Sequence, residues 1–183
     1  MAKDRKIDMV ILGLLFHENL TGYDIKKRID QSISFFWKGS FGSIYPSLAA
    51  MEKNGLVIKT KDESNTTKRE KILYEITDEG RRFLQEWLED SKAENSLRYE
   101  TLLKLFFGGA TTINVSVANI EAFENDITKD LEILKFCKSN LEKVLDERDH
   151  VFFYLTVSFG VETYEAYLRW SKEAKKLLLN LEK

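Results

Sequence analysis

The sequence predicts a mainly α-helical protein in two parts, with one small β hairpin in the first part. Three observations point there. Apolar residues recur at helical spacing over Ile7, Val10, Ile11, Leu14 and Leu15, over Ile25, Ile29 and Ile33, and over Ile44, Leu48 and Met51. Two stretches alternate instead, residues 56–59 and 71–76, with a polar run between them. Far downstream Ile120, Ile127, Leu134 and Leu141 repeat at heptad spacing, the seam of a long helix that needs a partner.

The chain has 183 residues, enough for one large domain or two small ones. Its net charge is −2, so the whole is not a basic nucleic-acid binder. The halves differ: residues 1–82 hold 15 Lys/Arg against 12 Asp/Glu, and residues 83–183 hold 13 against 18. That sign suits an N-terminal module facing phosphates and an acidic C-terminal module kept off them. The single cysteine, Cys137, excludes an internal disulfide. The apolar run near the start is cut off by His17, Glu18 and Asn19. It is too short to span a bilayer and lacks a small-residue cleavage site, so a cytoplasmic protein is expected.

In chain order, the first helix runs about ten residues and ends at the loop His17-Glu18-Asn19-Leu20. Thr21 and Asp24 make a start like a capping box, with Asp in the usual Glu position. Ile25, Ile29 and Ile33 form the buried stripe of the second helix, and Lys26, Lys27 and Arg28 lie mostly off it as a solvated face. Phe35, Phe36 and Trp37 form an aromatic knot, read as packing that sets the angle to the next helix. Residues 41–56 then read as a short third helix. Ile44, Leu48 and Met51 face a core, while Gly42, Ala49 and Ala50 leave the opposite side small, with only Tyr45 and Lys53 long. Small residues on a solvent face let a backbone come close to a groove, where Tyr45 can bond a phosphate or base edge and Lys53 can neutralise a phosphate. Pro46 fits only near the helix start. Ser40 or Ser43 serves as N-cap, and Gly55 as the left-handed residue past the C-terminus.

Residues 56–59 and 71–76 read as two strands joined by the polar loop 60–70, which carries Lys68 and Arg69, with Lys71 just beyond. A hairpin with a basic loop directly after a groove-reading helix is a wing that reaches phosphates or a neighbouring groove. Thr77 caps the next helix, and Asp78 and Glu79 suit its positive end. Phe83, Leu84, Trp87 and Leu88 are its expected buried face.

Thr21-Gly22-Tyr23-Asp24-Ile25, Phe36-Trp37-Lys38, Ile44-Tyr45-Pro46-Ser47-Leu48 and Tyr74-Glu75-Ile76-Thr77-Asp78-Glu79-Gly80-Arg81 resemble the PadR family of winged-helix transcriptional regulators. The subgroup is the one with a long helical C-terminal domain of the virulence-activator type. The resemblance implies a winged helix-turn-helix DNA-binding domain over residues 1–90 and a helical dimerisation domain over 91–183. It implies double-stranded DNA and a second copy of the chain as partners. The expected DNA-binding residues are Ser40, Gly42, Ser43, Tyr45, Pro46, Ala49, Lys53, Lys68, Arg69 and Lys71.

In the second half, residues 97–107 read as a helix broken at Gly108-Gly109. Asn114 or Ser116 is expected to cap a long helix running to about Arg148, with Phe123, Cys137 and Val144 as second core positions. A final helix has apolar residues on more than one face, so it should pack against its own chain and a second subunit. The expected dimer interface takes Ile120, Phe123, Ile127, Leu134, Leu141, Phe159, Tyr167, Trp170, Leu177 and Leu178. Two-fold symmetry suits a helix-turn-helix reading two half-sites.

Catalytic chemistry finds little support. His17 and His150 lie far apart and belong to no Cys/His set with ligand spacing, so neither a metal nor a cofactor is expected. Phosphate-loop, dinucleotide and nucleophile-elbow motifs are absent from the sequence. Cys137 sits in the heptad seam as a small apolar knob. A competing reading is an adaptor whose winged helix contacts protein. A small aromatic effector is a further candidate partner, because the resembled family can respond to phenolic compounds and aromatics are abundant at Phe35, Phe36, Trp37, Phe152, Phe153, Tyr154, Tyr164 and Tyr167.

Overall fold

A computed structural model describes residues 6–37, 41–61, 71–93, 95–96 and 98–181. The chain divides into two compact units, Met1–Asn95 and Ser96–Lys183.

In the first unit, α1 (Lys6–His17), α2 (Gly22–Ser32) and α3 (Ile44–Lys53) precede an antiparallel hairpin of β1 (Val57–Lys61) and β2 (Ile72–Ile76), and α4 (Asp78–Glu89) follows. The hairpin register pairs Val57 with Ile76 and Lys61 with Ile72. Leu20, expected in a loop, pairs with β2: its amide donates to the Tyr74 carbonyl at 3.2 Å, and the Tyr74 amide donates back at 2.8 Å. The loop between α1 and α2 thereby satisfies backbone groups that would otherwise lie unpaired along that side of β2.

The core gathers Met9, Ile11, Leu12, Leu15, Leu20, Ile25, Ile29, Ile44, Leu48, Met51, Val57, Ile76 and Leu84. Burying a side chain of this size stabilises by roughly 2 kcal/mol, so each helix is held by its stripe more than by its own propensity. Ile25 and Ile29 are fully buried, and Ile33, the C-cap residue of α2, is partly so. The aromatic knot departs from its expected packing role. Phe36 is half exposed, Phe35 and Trp37 are only partly buried, and none belongs to the buried core. They follow the end of α2, past the point where its stripe can carry them inward. Trp37 instead carries the Lys6 ammonium 5.7 Å from its ring centre. On α4, Leu84 is buried and Phe83 partly so, but Trp87 and Leu88 are exposed, because the core contacts of α4 fall in its first two turns.

Thr77 locks α4 to the end of α3. Its hydroxyl accepts the Gly80 amide at 3.0 Å and donates to the Gly55 carbonyl at 2.7 Å. Its amide donates to the Leu56 carbonyl at 3.1 Å. Gly80 is the close-approach residue of this joint: a Cβ there would lie 2.2 Å from the Leu56 carbonyl oxygen.

In the second unit, α5 (Glu100–Phe106) leads through a 3₁₀ turn, Gly108–Ala110, into α6 (Ile113–Leu141) and α7 (Arg148–Asn180). The long helix starts earlier and stops sooner than expected. Thr112, rather than Asn114 or Ser116, is the N-cap, accepting the Val115 amide at 3.4 Å, and Ser116 is buried inside the helix. Residues 142–147, read as a last helical stretch, form the turn instead. It is held by bonds from the Val144 amide to the Leu141 carbonyl and from the Glu147 amide to the Val144 carbonyl. The reversal makes α6 and α7 an antiparallel pair, tied by Lys135 to Glu165 at 2.6 Å and by Lys175 to Glu124.

The heptad seam is spent within this pair. Ile120, Ile127 and Leu134 are buried in the single chain, together with Leu131, against Val157, Gly160, Val161, Tyr164 and Ser171 of α7. These seam positions, expected at a dimer surface, are buried within the single chain, where α6 packs along α7. Phe123, Tyr167 and Trp170 are partly buried in an intrachain aromatic cluster. Phe123 lies 5.8 Å from the Tyr167 ring and 6.3 Å from the Trp170 ring. Tyr99 joins them with its hydroxyl 2.6 Å from that of Tyr167, and burial, followed by this bond, pushes the Tyr99 phenol above its ordinary range. Leu141 and Leu178 are half-buried, while Phe159 and Leu177 remain largely exposed.

Candidate nucleic-acid interface

The third helix has two faces of opposite character. Ile44, Leu48 and Met51 point into the core at 1%, 0% and 1% exposure. Gly42, Tyr45, Pro46, Ala49, Ala50 and Lys53 are all exposed, and Ser43 is half-buried. The helix opens on the 3₁₀ turn Phe41–Ser43, and Pro46 falls in its first turn, where a missing amide costs no helical bond. Ser43 is the N-cap by position, without a side-chain capping bond. At the other end the Leu56 amide reaches the Met51 carbonyl at 2.9 Å and the Gly55 amide the Glu52 carbonyl at 3.1 Å. Gly55 takes φ +72°, a left-handed conformation that glycine adopts without steric cost. This pair of hydrogen bonds closes the helix within one residue.

Tyr45 is the largest group on the outer face, at 63% exposure. Its ring does not stand free: one edge lies over Gly22, the first residue of α2, where a Cβ would fall 2.6 Å from the Tyr45 Cε1. Sequence reading missed this contact. A glycine at a helix start carries no visible reason until the ring above it is seen. At the start of α2, Thr21 accepts the Asp24 amide at 3.1 Å, and its hydroxyl donates to the Asp24 carboxylate at 2.7 Å. The shorter Asp therefore closes onto the side chain rather than the backbone.

Charges around α3 are arranged so that its acid is covered. Glu52 pairs with Lys59 of β1 at 2.7 Å, and its carboxylate raises the Lys59 ammonium above its ordinary value. Lys53 stays exposed beside this pair. On α2, Arg28 is held by Glu18 at 2.5 Å, while Lys26 and Lys27 are exposed. Lys71 is exposed at the foot of β2; Ser40, Lys68 and Arg69 lie outside the described residues.

A helix with one buried stripe and one smooth outer face, followed by a hairpin, is the arrangement of a winged helix. Residues 11–86 match the transcriptional regulator PadR-like family, and residues 97–178 match the virulence activator alpha C-terminal family. The chain thus joins a PadR-like domain to a virulence-activator C-terminal domain. Among similar proteins, the negative transcriptional regulator PadR of Bacillus subtilis is 26% identical over 174 residues, 91% of this chain and 93% of that one. The crystal structure of the PadR-like transcriptional regulator BC1756 from Bacillus cereus superimposes with a TM-score of 0.81 at 28% identity, covering 97% of this chain and 99% of that one. The Vibrio cholerae virulence activator AphA shares the fold at a TM-score of 0.72 and 24% identity, over 94% of this chain and 98% of that one.

In this PadR-like regulator the second unit exposes much apolar surface. Phe152, Leu155 and Phe159 of α7, Phe136 of α6 and Phe106 of α5 are each more than half exposed. Phe152, Leu155 and Phe159 follow at i, i+3 and i+7, so they form one stripe, on a different side of α7 from Val157, Gly160, Val161 and Tyr164. Exposed apolar stripes of this kind occur at protein, membrane or ligand contact sites. Among the described residues no helix is long and apolar enough to cross a membrane.

Proposed function

We propose that this regulator acts as a homodimer that lays α3 in the major groove of its operator. The observation that carries the reading is the split of α3, with Ile44, Leu48 and Met51 inside and a smooth outer face of Gly42, Tyr45, Ala49 and Lys53. That face brings backbone close to base edges and presents one phenol and one cation. Ser43 and Pro46 lie at the entry to the same helix. Ser40, just before it in sequence, and Lys68, Arg69 and Lys71, in the sequence between the strands, are assigned to the same DNA contact, the last three to phosphates or an adjacent minor groove. Bacillus subtilis PadR, a relative with the same fold, has been solved in complex with operator DNA. On this reading the protein works in the cytoplasm, where the DNA is. It assigns no chemistry to a catalytic group, metal or cofactor.

The test is fluorescence anisotropy with a duplex selected by the protein from a random pool, beside a scrambled duplex, over a series of salt concentrations. Tight binding that prefers the selected duplex and weakens with salt is expected. Equal weak binding to both duplexes, or none at low salt, would move the reading to an adaptor whose winged helix contacts protein. A small aromatic effector is a second proposal for this chain, since Bacillus subtilis PadR has also been solved with p-coumaric acid. A uniformly null thermal-shift panel of phenolic acids would remove it.

A further inference from the structure

We propose that Gly22 is a specificity-determining residue: by carrying no Cβ, it holds the Tyr45 phenol in its reading position on the outer face of α3. The proposal rests on the DNA-binding reading above and adds a residue of α2 to it.

The three atoms nearest to a Cβ built on Gly22 all belong to Tyr45: Cε1 at 2.6 Å, Cζ at 3.1 Å and Cδ1 at 3.3 Å. The ring therefore lies along the backbone of the first turn of α2, and Gly22 is buried beneath it. The backbone gives no other reason for glycine at this position. Gly22 is not among the glycines with positive φ, and as the first residue of a helix it sits where most side chains are accepted. The helix start is already capped by Thr21, so glycine is not needed for that either. What glycine supplies is the space the ring fills. Packed on one edge and exposed on the other, the ring is held before DNA arrives, which lowers the entropy lost on ordering it in the complex.

A methyl at position 22 would force the ring edge back by about 1 Å to reach an ordinary carbon–carbon separation of about 3.5–4 Å. The obstacle is the far end of an exposed side chain, so the ring yields and the fold does not. The phenol hydroxyl, at the tip, swings with the ring. A hydrogen bond whose donor and acceptor prefer about 2.7–2.8 Å does not survive such a shift with full strength.

The experiment is a double-mutant cycle of Gly22→Ala and Tyr45→Ala in the full chain, read as the ratio of affinities for the selected and scrambled duplexes, with thermal melting alongside. Tyr45→Ala should lower the ratio roughly three- to tenfold, the value of one hydrogen bond. Gly22→Ala should lower it by a similar factor, with scrambled binding and melting temperature near wild type, and should have no further effect in the Tyr45→Ala background. If Tyr45→Ala lowers the ratio and Gly22→Ala does not, the proposal fails while the DNA-reading role of α3 stands. If Gly22→Ala acts equally in both backgrounds, or lowers the melting temperature by many degrees, it works through the fold and the proposal also fails. An unchanged ratio in Tyr45→Ala sinks the role of the phenol and the proposal with it. Absence of any preference in the wild-type protein sinks the DNA reading itself.

Discussion

Gly80 and Gly22 both sit in the first turn of a helix, and both lack a Cβ where a neighbour presses close. The neighbours differ in kind. Gly22 meets a ring that can move, whereas Gly80 meets the Leu56 carbonyl, which cannot. Leu56 is pinned on both sides: its amide is bonded to Met51, and its carbonyl accepts from Thr77. The adjoining Gly55 carbonyl accepts the Thr77 hydroxyl. Relief of a 2.2 Å contact would thus unlock the joint between α3, β1 and α4. Gly80→Ala is expected to cost roughly 3 kcal/mol, the upper end for forcing volume into a packed site. Urea unfolding of the full chain, followed by tryptophan fluorescence, would show this as a shift in the transition of the first unit. A midpoint unchanged from wild type would mean that the joint opens at little cost. Nothing in the order Thr-Asp-Glu-Gly marks the glycine as a contact rather than a helix-start residue, so this feature was legible only as a cap.

At the scale of elements, the parts with a single unambiguous period were readable and those with several were not. The α3 stripe could be placed to the residue, because Ile44, Leu48 and Met51 stand among small and polar positions. On α1 almost every residue from Ile7 to Phe16 is apolar, so periodicity cannot choose a face. The buried set includes Met9 and Leu12, while Ile7, Val10 and Leu14 only pack at its edge. The heptad seam of α6 was visible, but a seam does not say whose helix covers it. The answer turned on residues 142–147, where a charged run that could extend a helix makes a turn instead. The wing strands were legible from alternation, and the basic residues of the sequence between them carry a prediction. Replacing Lys68 and Arg69 with alanine should weaken binding to selected and scrambled duplexes alike. It should also reduce the slope of log affinity against log salt by about two, one unit for each lost phosphate contact. A slope equal to that of wild type would take the wing off the DNA.

For the whole molecule, the α6–α7 pair changes where a second copy can dock. With Ile120, Ile127 and Leu134 already covered, the surface left for a partner is the outer one, and on α7 it runs through Phe159, 69% exposed, and Leu177, 68% exposed. A protein that reads two half-sites gains its affinity by joining two weak contacts. The second contact becomes intramolecular, and avidity adds on the order of a hundredfold or more. Phe159→Asp places a charge on the outer face, where no core residue depends on it, so the fold should persist while association fails. Analytical ultracentrifugation is expected to give the mass of two chains for the wild type and one for the variant. Affinity for the selected duplex should fall by about two orders of magnitude. Ile127→Asp is the contrasting variant: it buries a charge between α6 and α7 and should unfold the second unit outright, because an unpaired charge in an apolar seam has no solvation to replace what it loses. A Phe159→Asp protein that still sediments as two chains would put the two-fold contact on another face. A wild-type protein that sediments as one chain at micromolar concentration would leave a single winged helix to carry the binding, and selection from the random pool should then return one half-site instead of an inverted pair.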